Sequence, residues 1–105
     1  MPRWLRRSAA AMAAVVLHAP TAGAAGDAAS GKALATTWCA SCHLVAPEQR
    51  TATTEAPPFE SVAQRSQEEI AALAAFLADP HPPMPQMSLT RQEIRDLLAY
   101  IGSLK

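Results

Sequence analysis

Residues 39–43 read Cys39-Ala40-Ser41-Cys42-His43, two thiols three positions apart with an imidazole directly after the second. At the end of a helix that spacing puts both sulfurs on one side of the turn, within reach of a single flat ligand. The adjacent His43 points its ring at the centre of that same ligand. A cysteine pair followed at once by histidine reads as an attachment site for c-type haem, the thiols taking its two vinyl groups and His43 facing its iron.

Three other chemistries use the same residue types. A disulfide between Cys39 and Cys42 suits an oxidising compartment, but so short a loop adds little stability. Trp38-Cys39-x-x-Cys42 is also the form of a thioredoxin-type redox site, which needs a βαβ sheet. Residues 25–105 contain only five Val and Ile together, too few for one. Zinc could draw on Cys39, Cys42, His43 and His81, but His43 directly follows Cys42 and has difficulty closing the same tetrahedron.

Working outward toward the N-terminus, Asp27 or Ser30 can cap a helix running through Gly31, Leu34, Ala35 and Trp38 to Cys39. Before it, Arg3, Arg6 and Arg7 precede nine unbroken apolar residues, Ala9 to Leu17, and then Ala22-Gly23-Ala24. Basic start, apolar run and small-residue site make a secretory signal, residues 1–24, cleaved after Ala24. Nine apolar residues fall well short of the roughly 20 that a membrane span needs, and nothing later in the chain is longer. Residues flanking Arg6-Arg7 do not support the twin-arginine route, so general export is expected. The working domain is then 25–105, in the periplasm of a Gram-negative bacterium.

Toward the C-terminus, Leu44 to Arg65 shows no helical period and contains Pro47, Pro57 and Pro58, so it reads as a loop that wraps something. Ser66-Gln67-Glu68-Glu69 has the form of a capping box, followed by Ile70, Leu73, Ala74 and Leu77 on one helical face and an end near Asp79. Thr90-Arg91-Gln92-Glu93 opens a last helix with Ile94, Leu97, Leu98 and Ile101, closing at Gly102. Between these two helices Pro80, Pro82, Pro83 and Pro85 exclude regular helix. The fold class is all-α, three main helices joined by proline-rich loops.

The whole chain has nine basic and nine acidic residues and only 17% charged positions, which gives no basic surface for nucleic acid. Without Arg3, Arg6 and Arg7 six basic residues face nine acidic ones, a formal charge of −3. A domain of about 80 residues is near the limit at which a hydrophobic core holds a fold alone, so a disulfide, a metal or a bound cofactor is expected.

Taken together these residues resemble the class I c-type cytochromes over nearly all of 25–105. Gly31-Lys32-Ala33-Leu34 ahead of Cys39-Ala40-Ser41-Cys42-His43 is similar to the family's first helix and haem site. Pro57-Pro58-Phe59 is similar to its conserved-position proline segment, and Met84-Pro85 to its distal methionine. Leu97-Leu98-Ala99-Tyr100 resembles the last helix. The resemblance implies one haem c bound covalently through Cys39 and Cys42, with His43 as proximal ligand and Met84 as distal ligand. It also implies that the Pro57 carbonyl accepts a hydrogen bond from the His43 ring, raising its basicity, and that Leu97 and Tyr100 pack across Gly31. Where the family often carries an aromatic residue four before the first cysteine, this chain has Ala35. Met87 is an alternative sulfur and His81 a third candidate ligand.

Histidine and methionine on opposite sides leave iron no open position, which points to one-electron transfer with no substrate and no enzymatic activity of its own. Trp38, Leu34, Phe59, Ile70, Leu73, Phe76, Leu77, Leu97 and Leu98 are the expected pocket and core. The expectation is a periplasmic electron carrier, a monomer that meets a redox donor and acceptor in transient complexes. Two alternatives are a haem domain with an open or weakly held sixth site, for ligand binding or peroxidase-like chemistry, and a fixed subunit of a dehydrogenase complex.

Overall fold

Main-chain contact between the helix before Cys39 and the last helix of the chain sets the architecture. The computed structural model describes residues 13–17, 25–53, 55–66 and 68–105. The segment read as an export signal lies outside these apart from 13–17, which belong to no regular element. Four helices follow in order, α1 (Ala28–Trp38), α2 (Phe59–Ser66), α3 (Ile70–Ala78) and α4 (Arg91–Gly102), and the described residues contain no strand. None of these helices is long and apolar enough to cross a membrane.

Asp27 is the α1 cap: its Oδ2 accepts from the Ser30 N–H at 3.0 Å, while Ser30 itself lies inside the first turn. Thr90 and Glu93 form the reciprocal box expected at α4, Glu93 N–H donating to Thr90 Oγ1 at 3.1 Å and Thr90 N–H to Glu93 Oε2 at 2.7 Å. Each satisfies main-chain N–H groups that a helix start leaves without partners.

α1 and α4 cross at Gly31. A Cβ at that position would lie 2.0 Å from the Asp96 carbonyl oxygen and 2.8 Å from Tyr100 Cβ, so only glycine permits this approach. Asp96 and Tyr100 therefore form the floor of the crossing, and Leu97 turns toward the cavity described below. Ala35 is fully buried at the crossing. Tyr100 is buried as well and donates its hydroxyl to the Val45 carbonyl. Asp96 Oδ1 accepts from Asp27 N–H and from Gln92 Nε2, both at 2.8 Å, which ties the start of α1 to α4.

Two features differ from the sequence expectation. The stretch read as loop through Arg65 ends in a helix, α2, whose Phe59 and Ala63 are buried at i and i+4 with Val62 half-buried beside them. Two prolines set its entry, the Pro58 carbonyl accepting from Val62 N–H at 3.1 Å. Consequently Ser66 closes α2 and does not cap α3, which starts behind Glu69 with no side-chain cap. Ile70, expected in the core, sits in that uncapped first turn and is 45% exposed.

Candidate functional site

The chain turns sharply after α1. Cys42 N–H and His43 N–H both donate to the Cys39 carbonyl, at 3.1 and 2.8 Å, so residues 39–43 form one closed turn. Cys39, Cys42 and His43 line the same cavity, of about 860 Å³. Across it stand Leu73, Phe76 and Leu77 of α3 and Leu97 and Ile101 of α4. Met84 and Met87 reach it from the proline-rich segment, and Trp38 from the end of α1. Trp38 is 51% and Phe76 38% exposed, both opening onto this cavity. Such a large apolar hollow in a small helical domain fits a bulky flat ligand.

The His43 ring is oriented from two sides. Its Nδ1 lies 2.6 Å from the Pro57 carbonyl oxygen, and the Phe59 ring stands edge-on to it at 5.3 Å between centroids. A carbonyl can only accept, so Nδ1 carries a proton, and in the neutral ring Nε2 is the nitrogen with the lone pair. That lone pair is what a metal ligand requires.

Residues 44–53 and 55–58 wrap the turn itself. Phe59 N–H donates to the Leu44 carbonyl at 2.9 Å and closes the loop at its base. Thr53 donates to the Ser41 carbonyl through its N–H at 2.7 Å and also through its hydroxyl. Gln49 Nε2 donates to the carbonyls of Ala40 and His43, at 2.8 and 2.9 Å. Neither Gln49 nor Thr53 stands out in the sequence. The available signal is an accounting one: carbonyls past a helix end need donors, and these two side chains are nearby polar groups in a loop.

Of the three distal candidates, Met84, Met87 and His81 all line the cavity. Met84 also packs against the buried core, and its N–H donates to the His81 carbonyl at 3.0 Å. The His81 ring is exposed and lies 5.9 Å from that of Phe76.

Burial, with a smaller contribution from neighbouring Cys42, pushes the Cys39 thiol up to about 11. A nucleophilic first cysteine of the thioredoxin type needs the opposite, an exposed sulfur with a lowered value. Among the described residues no group of three or more His, Cys, Asp or Glu side chains could hold a metal ion, so the zinc set with His81 is not assembled.

The family model described as Cytochrome c matches residues 28–105. A cytochrome c-552 of Bradyrhizobium diazoefficiens is 52% identical over 81 residues, 77% of this chain and 78% of the relative. No solved structure matches the chain.

Proposed function

The chain belongs to the cytochrome c family, and from that premise we propose that it is a periplasmic one-electron carrier with His43 and Met84 as axial ligands. One covalent haem c is its cofactor, and the iron of that group supplies the reversible one-electron chemistry. The observation that carries the ligand assignment is the 2.6 Å contact from His43 Nδ1 to the Pro57 carbonyl. It selects the tautomer of the neutral ring in which Nε2 faces away with its lone pair, and it orients the ring.

Cys39 and Cys42 would hold the group through two thioethers, each S–H adding across one vinyl double bond with sulfur on one carbon and hydrogen on the other, so that no oxidant is needed. Met84 supplies a thioether, which favours the ferrous state over a second imidazole and raises the reduction potential. Leu73, Leu77, Leu97 and Ile101 keep water from the pocket and act in the same direction. With His43 and Met84 both bound to the iron, no position on it would remain for a substrate. Its residues 25–105 are mildly acidic, so the redox partners present a neutral or basic patch, or an apolar contact.

Met87, three residues on and lining the same cavity, is the competing ligand. The ferric absorption spectrum separates the readings. A weak far-red sulfur-to-iron band is expected, lost in Met84→Ala and retained in Met87→Ala. The reverse pattern moves the ligand to Met87, and no band in the unaltered protein removes both sulfurs, leaving His81 or an open site. N-terminal sequencing of the exported protein tests the rest: a start near Ala25 in the periplasmic fraction is expected.

A further inference from the structure

We propose that Gln49 is a positioning residue for the proximal histidine, acting on the main chain of His43 while Pro57 acts on its ring. The proposal rests on the assignment of His43 as the iron ligand. Past the end of α1 the Ala40 and His43 carbonyls have no next helical turn to bring them N–H groups. Gln49 replaces them. Its Nε2 donates to Ala40 O at 2.8 Å and His43 O at 2.9 Å, with Thr51 O at 3.1 Å, and its Oε1 accepts from Val45 N–H at 2.9 Å. One amide thus grips the chain on both sides of the Cys42-His43 pair.

Only one orientation of the amide works, because the flipped one sets an oxygen against three carbonyl oxygens. The half-buried position of Gln49 shields these bonds from competing water. The direction of the His43 ring depends on where its Cα is held and where its Nδ1 is held. Gln49 fixes the first and the Pro57 carbonyl the second. Loss of the Gln49 donors lets the His43 main chain shift, and the bond from Nδ1 to Pro57 then opens more often.

Hydrogen exchange of the His43 Nδ1 proton, followed by NMR in ¹⁵N-labelled ferrous holoprotein, reads this directly. Gln49→Ala and the isosteric Gln49→Glu, which keeps an acceptor for Val45 N–H but loses both donors, are each expected to speed that exchange about tenfold or more. The Ile101 amide in α4 should keep its rate. Unchanged His43 exchange overturns the proposal, and so does an equal acceleration at Ile101, which is general loosening. A measurement on the unaltered protein needs no variant to fold: the Gln49 side-chain amide protons should exchange far more slowly than those of exposed Gln64. Equal rates overturn the proposal. If the His43 ring protons carry no haem ring-current shift in the unaltered protein, the ligand assignment falls and this proposal with it. If the shift is present and both variants leave the exchange unchanged, only the role of Gln49 falls.

Discussion

Gly31 of α1 rests on the main chain of Asp96 in α4, so closely that a Cβ would lie 2.0 Å from the carbonyl oxygen. That oxygen belongs to a helix backbone and cannot rotate away. Gly31→Ala therefore forces the two helices apart, loosening the Asp27 bond to Asp96 and the seating of Tyr100 together. A loss of about 3 kcal/mol is expected, the upper end of ordinary overpacking, read from denaturant titration of the holoprotein. Gly102 meets nothing within 4 Å at its would-be Cβ. Gly102→Ala is expected to stabilise by up to about 1 kcal/mol, since alanine loses less backbone freedom in a helix.

Tyr100 is the sole tyrosine of the chain, and its hydroxyl serves the Val45 carbonyl. Tyr100→Phe leaves that buried acceptor without its donor and is expected to cost about 1–3 kcal/mol. Burial holds the phenol above its ordinary value of 10.0, outweighing the opposite pull of Lys32. The folded state then keeps the proton longer than the unfolded chain does. The contribution is fully present below pH 10 and is lost as pH rises toward and through the raised folded value. Stability measured from pH 8 to 12 should fall more steeply above 10 in the unaltered protein than in Tyr100→Phe; parallel curves would contradict this.

What the sequence made legible was what local pattern encodes. The box at Thr90 and Glu93, the Asp27 cap and the placing of Cys39, Cys42 and His43 on one turn follow from short-range chemistry, whereas the crossing at Gly31 was expected from the family resemblance. The partners of Gly31 were legible only as side chains: Tyr100 is there, but the nearest atom is the Asp96 carbonyl oxygen, which no side-chain pattern records. α2 was missed because eight residues with Phe59, Val62 and Ala63 as their apolar positions give a weak period, and prolines at its entry resemble loop punctuation. That error carried forward, since Ser66 cannot both end α2 and cap α3. Gln49 and Thr53 were invisible for a different reason. Their partners are main-chain carbonyls, and no side-chain pattern records where those point.

The two helix starts offer a matched comparison. Thr90→Ala removes an acceptor that Glu93 N–H uses, and a loss of about 1 kcal/mol is expected. Glu69 holds the same place before α3 but makes no side-chain cap bond. Glu69→Ala should therefore leave the midpoint of thermal unfolding within error, and a loss there as large as that of Thr90→Ala would show that Glu69 stabilises the start of α3 through its charge, without a hydrogen bond.

Removal of both thioether sites tests how much of the core the cofactor supplies. Leu97, Ile101, Leu77, Tyr100 and Phe59 are the large side chains that the polypeptide buries, whereas Trp38 and Phe76 open onto the cavity of about 860 Å³. The remaining buried set includes Ala35, Cys39, Val45 and Ala63, small groups with little apolar area to contribute. A hollow of that volume cannot close by side-chain shifts, and left open it loses the dispersion contacts along its whole lining. Cys39→Ser combined with Cys42→Ser changes the polypeptide by only two atoms, so any larger effect comes from the missing haem. Far-ultraviolet circular dichroism of that double variant should show helix content well below the holoprotein, with α1 and α4 unable to keep their crossing without the group that fills the space beside Leu97. Native helix content in the haem-free variant would mean that the contact of Gly31 with Asp96 and Tyr100 holds the fold by itself, and that the haem is a passenger in a finished scaffold.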